Sequence, residues 1–140
     1  MKAALIATAI AAAVSAAQAG TLWVRVLDRA GEPVAGAAVI VRSLATPGAT
    51  QAGAGPVSVG CYLHSRMAGN IYISESPYFG VSDADGRARI DVPDGAVTVL
   101  AWHPQQLLEQ PALPSQVVPG TQGMDLALNF TPRPASRKPR

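Results

Sequence analysis

From residue 20 onward, glycine and proline divide the chain into short pieces whose apolar residues alternate, and no piece carries the period of a helix. The protein holds 13 glycines and 12 prolines in 140 residues. A backbone broken this often can build strands and turns and little else. Thr21–Asp28 places Leu22, Val24 and Val26 on one face, the period of a half-buried strand. Arg29-Ala-Gly-Glu-Pro33 then turns the chain, and the β-branched Val39–Leu44 reads as the returning strand. Val57–Gly60 and Ile71–Ser74 are short strands on either side of a loop. Tyr78–Ser82, Arg87–Val92 and Val97–Trp102 are separated by Asp83-Ala-Asp-Gly86 and Pro93-Asp-Gly95, turn sequences that predict two successive hairpins. Ser115–Val118 and Met124–Phe130 complete the set, the latter turning Met124, Leu126, Leu128 and Phe130 inward. The only helical turn in prospect is at Leu107-Leu108. Six to eight short strands at this spacing predict an all-β fold, a Greek-key β-sandwich. The aromatic residues Trp23, Tyr72, Tyr78, Phe79, Trp102 and Phe130 fall mostly on strands, and their expected role is to fill the core.

The first 19 residues differ from the rest. Lys2 precedes an uncharged run, Ala3–Val14, and Ala17-Gln-Ala19 supplies the small-x-small pattern of a secretory cleavage site. The run is shorter than the roughly 20 apolar residues that span a bilayer, and no comparable run follows. Residues 1–19 are thus expected to be a cleaved signal peptide, 20–131 a single β-domain in the periplasm, and 132–140 a solvated basic tail. The formal net charge of +2 misleads, because five basic residues lie in the leader and the tail. Between Gly20 and Thr131 six arginines face nine acids, which argues against nucleic acid as a partner.

One cysteine in an oxidising compartment has no internal disulfide partner; it is buried, paired between chains or used as a ligand. It stands in Cys61-x2-His64-x2-Met67, which puts a thiol, an imidazole and a thioether into one short loop between two strands. Soft sulfur with imidazole selects copper, and Cys, His and a weak axial Met are all but one imidazole of a blue-copper donor set. The acids are less informative. Asp83, Asp85 and Asp94 have a glycine too early and an arginine where a calcium loop needs oxygen, so they read as turn formers. No nucleophile elbow or phosphate-cradling loop is present, and no enzymatic activity is expected.

Gly60-Cys-Tyr-Leu-His-Ser-Arg-Met67, followed by Ile71-Tyr-Ile73 and Ser76-Pro-Tyr-Phe79, resembles the cupredoxin-like periplasmic proteins often called methylamine utilization or plastocyanin-like proteins. Ser82-Asp-Ala-Asp-Gly86, the Val92–Gly95 segment, Trp102-His-Pro104 and the opening Leu22–Val26 with Gly31–Val34 extend the likeness over most of the chain after the leader. The resemblance implies a cupredoxin-like sandwich, in some arrangements close to carboxypeptidase-regulatory-like domains. It places Cys61, His64 and Met67 on copper-ligand positions and suggests a periplasmic redox or copper-handling partner. The family also carries a histidine upstream of the cysteine loop. Here the only histidines are His64 and His103, and the small-residue linker Ala45–Pro56 stands in that place. His103 belongs to the Trp102-His-Pro104 motif, which is structural in the family. Three soft donors suffice for Cu(I), whereas blue-copper Cu(II) needs the second imidazole. The competing expectation is a metal-free interaction module, with Cys61 a small buried hydrophobe and Met67 a gap-filler.

Overall fold

The computed structural model describes residues 19–45, 53–63 and 67–133. The leader up to residue 18, most of the Ala45–Pro56 linker, His64 and the tail from 134 lie outside the described residues. Among the described residues nine strands follow in order: β1 (Ala19–Leu27), β2 (Ala38–Ser43), β3 (Gly55–Gly60), β4 (Ala68–Ile73), β5 (Tyr78–Val81), β6 (Arg87–Pro93), β7 (Gly95–Trp102), β8 (Leu113–Val117) and β9 (Gly120–Ala127). There is no helix among the described residues, and Leu107 and Leu108 lie exposed in an irregular connection.

Seven of the strands form a β-sandwich. One sheet has the order β6-β1-β9, the other β5-β2-β7-β8, and β3-β4 is a separate two-stranded sheet. β1 runs antiparallel to β6, with Leu22 opposite Ile90, and parallel to β9, with Val26 opposite Leu126. The alternation of β1 does what its period predicts: Leu22, Val24 and Val26 point into the space between the sheets. There they meet Val39 and Val41 of β2, Ile90 and Val92 of β6, Val97 and Val99 of β7, and Val117 of β8. Leu126 and Leu128 are buried in the same cluster, with Met124, Phe130 and Tyr78 packed at its margin.

The connections differ from the expected hairpins. β2 does not return along β1 but pairs with β5 and β7 in the opposite sheet; only an isolated bridge, Leu27 to Pro33, remains beside β1. The Asp83–Gly86 and Pro93–Gly95 turns likewise carry the chain from one sheet to the other, since β5, β6 and β7 alternate between sheets. Turn chemistry marks where a chain reverses and is silent about which sheet receives the next strand. A strand with one apolar face buries it equally well from either side of a sandwich.

The corner at Asp83–Gly86 is built by side chains. The Asp83 carboxylate accepts hydrogen bonds from the Asp85 and Arg87 amides, both at 2.9 Å, which is turn chemistry and not cation binding. Gly86 has φ of 73°, and a Cβ there would lie 2.5 Å from the Val26 carbonyl oxygen. Only glycine lets this corner approach β1 closely enough for the Val26 amide to reach the Gly86 carbonyl at 2.7 Å. Trp23 and Phe79 depart furthest from the expected core role: Trp23 is 40% exposed and Phe79 61% exposed, each on the outer face of its sheet.

Candidate functional site

The β3–β4 hairpin leaves the sandwich between β2 and β5 and stands against the outer face of the four-stranded sheet. Its register pairs Pro56 with Tyr72 and Ser58 with Asn70 on one face, and the Ser58 hydroxyl donates to the Asn70 side-chain oxygen at 3.2 Å. That face looks inward. The Tyr72 ring lies 5.5 Å from the Trp102 ring, tilted by 44°, and burial pushes the Tyr72 phenol above its ordinary pKa. At its base, Arg42 of β2 reaches Glu75 at 3.8 Å. The Ser76 hydroxyl donates to the Val41 carbonyl and accepts from the Tyr78 amide. Ile40, on the face of β2 away from the main core, is buried under this cover. Between hairpin and sheet runs a cleft of about 350 Å³ whose walls include Ile40, Tyr72, Phe79 and Trp102, with Asn70 and Ser74 as polar edges.

The other face of the hairpin looks outward and is apolar. Val57 stands opposite Ile71 and Val59 opposite Gly69, and the three larger side chains are between 38% and 52% exposed. Beyond the last ladder pair, Gly60 with Ala68, the Cys61 amide donates to the Met67 carbonyl at 2.9 Å. One more rung of the pattern thus sets Cys61 opposite Met67. Because faces alternate along a strand, this pair shares the outward face with Val59 and Gly69. These four residues line one shallow concavity of about 370 Å³. Cys61 is half-buried there and Met67 is 62% exposed. The tip continues through Tyr62 and Leu63, both fully in solvent, to His64 outside the described residues.

Of the expected donors, then, the hairpin brings Cys61 and Met67 together. No cluster of three His, Cys, Asp or Glu side chains occurs among the described residues. His103 is engaged elsewhere. At the end of β7 its Nδ1 accepts from the Gln105 amide at 3.2 Å, the ring also bonds to the Ala35 backbone, and Phe130 lies 5.8 Å away. Burial holds its pKa below the ordinary imidazole range, and the Ala35 bond offsets part of that shift. The aromatic cleft is not among the features expected from the sequence. Its signal was present in Ile71-Tyr-Ile73, which is apolar on both faces and so requires a use for each.

No protein-family model matches this chain, and no curated protein does. Among solved structures it is similar to the TIE protein of Bacillus anthracis, with 15% identity, 79% of this chain and 16% of that chain covered, and a TM-score of 0.46. It is also similar to BcpA, the major pilin subunit of Bacillus cereus, with 13% identity, 81% and 31% coverage, and a TM-score of 0.49. A third is the dioxygenase domain of a dioxygenase carbohydrate-binding protein fusion from Streptomyces sp. SirexAA-E, with 15% identity, 86% of each chain covered, and a TM-score of 0.46. The chain spans less than a third of the length of the first two, and at such identities the likeness concerns backbone architecture.

Proposed function

We propose that this chain is an exported, periplasmic, cupredoxin-like sandwich that holds Cu(I) at the tip of the β3–β4 hairpin through Cys61, His64 and Met67. In this reading it exchanges the metal with a copper-handling or redox protein of the same compartment. The observation that carries the reading is the rung that sets Cys61 opposite Met67 on one face of the hairpin. A thiolate and a thioether on opposed residues form a soft donor pair, and an imidazole three residues from each completes a set that Cu(I) accepts. The residues fit the ion in kind. Cys61 supplies the anionic ligand and Met67 the neutral one, beside the apolar Val59 on the same face. Bound copper would supply a transferable soft cation, with electron transfer limited by the lack of a second imidazole. His103 is committed to the Gln105 and Ala35 backbone. The resemblance of Gly60–Met67 to the copper loop of methylamine utilization proteins supports the same assignment.

The test is copper retention. The protein without its leader, loaded with Cu(I) under reducing conditions and dialysed, is expected to keep roughly one copper per chain; Cys61→Ser should keep none and Met67→Leu less than the parent. Equal copper in the Cys61→Ser variant and the parent would end the proposal. A second reading, a metal-free interaction module, is favoured by the exposed Val57, Val59 and Ile71 on that same face. It predicts partner capture that is indifferent to Cys61→Ser and lost in Val59→Asp.

A further inference from the structure

The outer face of the β6-β1-β9 sheet carries a second arrangement, remote in sequence from the Cys61 loop and independent of the copper reading. Three cross-strand rows stand there: Asp91, Thr21 and Thr121; Arg89, Trp23 and Gly123; Arg87, Arg25 and Asp125. The middle strand therefore presents a tryptophan with guanidinium groups on one side and a glycine on the other. Trp23, Arg25, Arg87, Gly123 and Asp125 line a shallow depression of about 600 Å³.

Three details distinguish this face from a plain solvated sheet. The first is the platform. Trp23 is 40% exposed on an otherwise polar face, and among the described residues no guanidinium is stacked on its ring. The second is Gly123. A Cβ there would lie 3.8 Å from the Trp23 carbonyl oxygen, an ordinary contact, so backbone packing does not demand glycine. Glycine in a strand weakens it; what the missing side chain achieves here is an open flank beside the indole. The third is charge. Three of the six arginines between residues 20 and 131 gather on this face. Arg25 is held by Asp125 through paired bonds of 3.0 and 2.7 Å, and Arg89 meets Asp91 only at 3.4 Å. Asp91 also accepts from the Thr21 hydroxyl at 2.7 Å. Arg87 has no carboxylate within ion-pair distance among the described residues.

We propose that this face binds an acidic glycan, with one pyranose ring stacked on Trp23 and a carboxylate of that ring or its neighbour on Arg87. A pyranose has an apolar C–H face that suits the electron-rich indole and a rim of hydroxyls that suits the flanking polar groups. A hydrocarbon would leave Arg25, Arg89, Asp91 and Asp125 without gain, and an aromatic base would leave the hydroxyl-matching rim unused. The planar fork of a guanidinium matches a carboxylate in a bidentate fashion. One uncompensated guanidinium on this face, on a body with three more acids than bases, suits a sparsely charged chain, because a dense polyanion would be repelled by the rest of the surface.

The probes are a hyaluronan oligosaccharide, with a carboxylate on alternate sugars, and a neutral chitooligosaccharide of equal length, titrated by calorimetry at low salt. The parent protein is expected to bind the acidic probe at least tenfold more tightly than the neutral one, a preference that added salt reduces. Trp23→Ala should lose at least tenfold for the acidic probe, and Arg87→Gln should lose the acidic preference. Gly123→Val, a substitution strands favour, should close the flank and weaken binding without lowering the melting temperature. All three positions are exposed, so folding of each variant is checked by its melting curve. The proposal is overturned if the parent binds neither probe or both equally, if Trp23→Ala or Gly123→Val binds like the parent, or if oligo(dT) binds as tightly as hyaluronan.

Discussion

At the scale of single residues, Ser82 shows how a small polar group holds two parts of the fold together. Its hydroxyl donates to the Val34 carbonyl at 2.7 Å and accepts from the Ala37 amide at 2.9 Å. Its own amide donates to Ala37 and its carbonyl accepts from Gly36. The end of β5 is thereby fastened to the connection that carries the chain from β1 to β2. Ser82→Ala leaves two backbone groups without partners at a site that is 4% exposed, and a destabilisation of about 1–3 kcal/mol in urea unfolding is expected. His103 makes a different prediction. Burial lowers its pKa in the folded state, so the unfolded chain binds its proton more tightly. Stability is then full above the ordinary imidazole value of about 6.5 and declines as pH falls through it toward the folded value. Melting temperatures measured between about pH 7.5 and 5 should fall more steeply for the parent than for His103→Gln. The lowered carboxyls, Asp28 through its bonds from the Glu32 and Ala30 amides and Asp125 through Arg25, act only at lower pH.

At the scale of elements, the hairpin is the piece on which the copper proposal depends. Tyr72 is its anchor, since its ring meets Trp102 and its face encloses Ile40. Tyr72→Ala should loosen the hairpin from the sheet, at a cost of about 2–4 kcal/mol for a partly buried aromatic. It should also expose Trp102, read as a red shift in tryptophan emission. The ladder between β3 and β4 does not depend on Tyr72, so Cys61 and Met67 should stay opposed and copper retention should fall far less than in Cys61→Ser. Strands were legible from their residues: alternation located the buried faces of β1 and β9, turn sequences bracketed β6 and β7, and a β-branched run located β2. Pairing was not. Nothing in Val39–Leu44 says that it joins β5 and β7 instead of β1, because hydrogen bonds to a neighbouring backbone are indifferent to sequence.

At the scale of the whole molecule, the core cluster draws its residues from β1, β2, β6, β7, β8, β9 and their flanking connections, and none from the hairpin. Replacing residues 53–73 by a short Gly/Ser linker should therefore leave a single cooperative unfolding transition. The loss, about 2–4 kcal/mol, is that of uncovering Ile40 and part of Trp102; calorimetry would show a second transition or none if the hairpin belonged to the core.

The residues alone determined that this chain is all-β, which faces of its first and last strands are buried, and that sulfur and imidazole donors crowd one short loop. Those are local properties, set by the period of two and by the turn preferences of Gly, Pro and Asp. The tertiary structure decided that Asp83–Gly86 and Pro93–Gly95 cross between sheets and that His103 is spent on neighbouring backbone. It also decided that Cys61 and Met67 face one another, and that Trp23 looks outward beside a glycine about a hundred residues later in the chain. Each of these depends on which strands become neighbours. That choice is made by how two apolar surfaces close over a shared core, and no short stretch of sequence contains it.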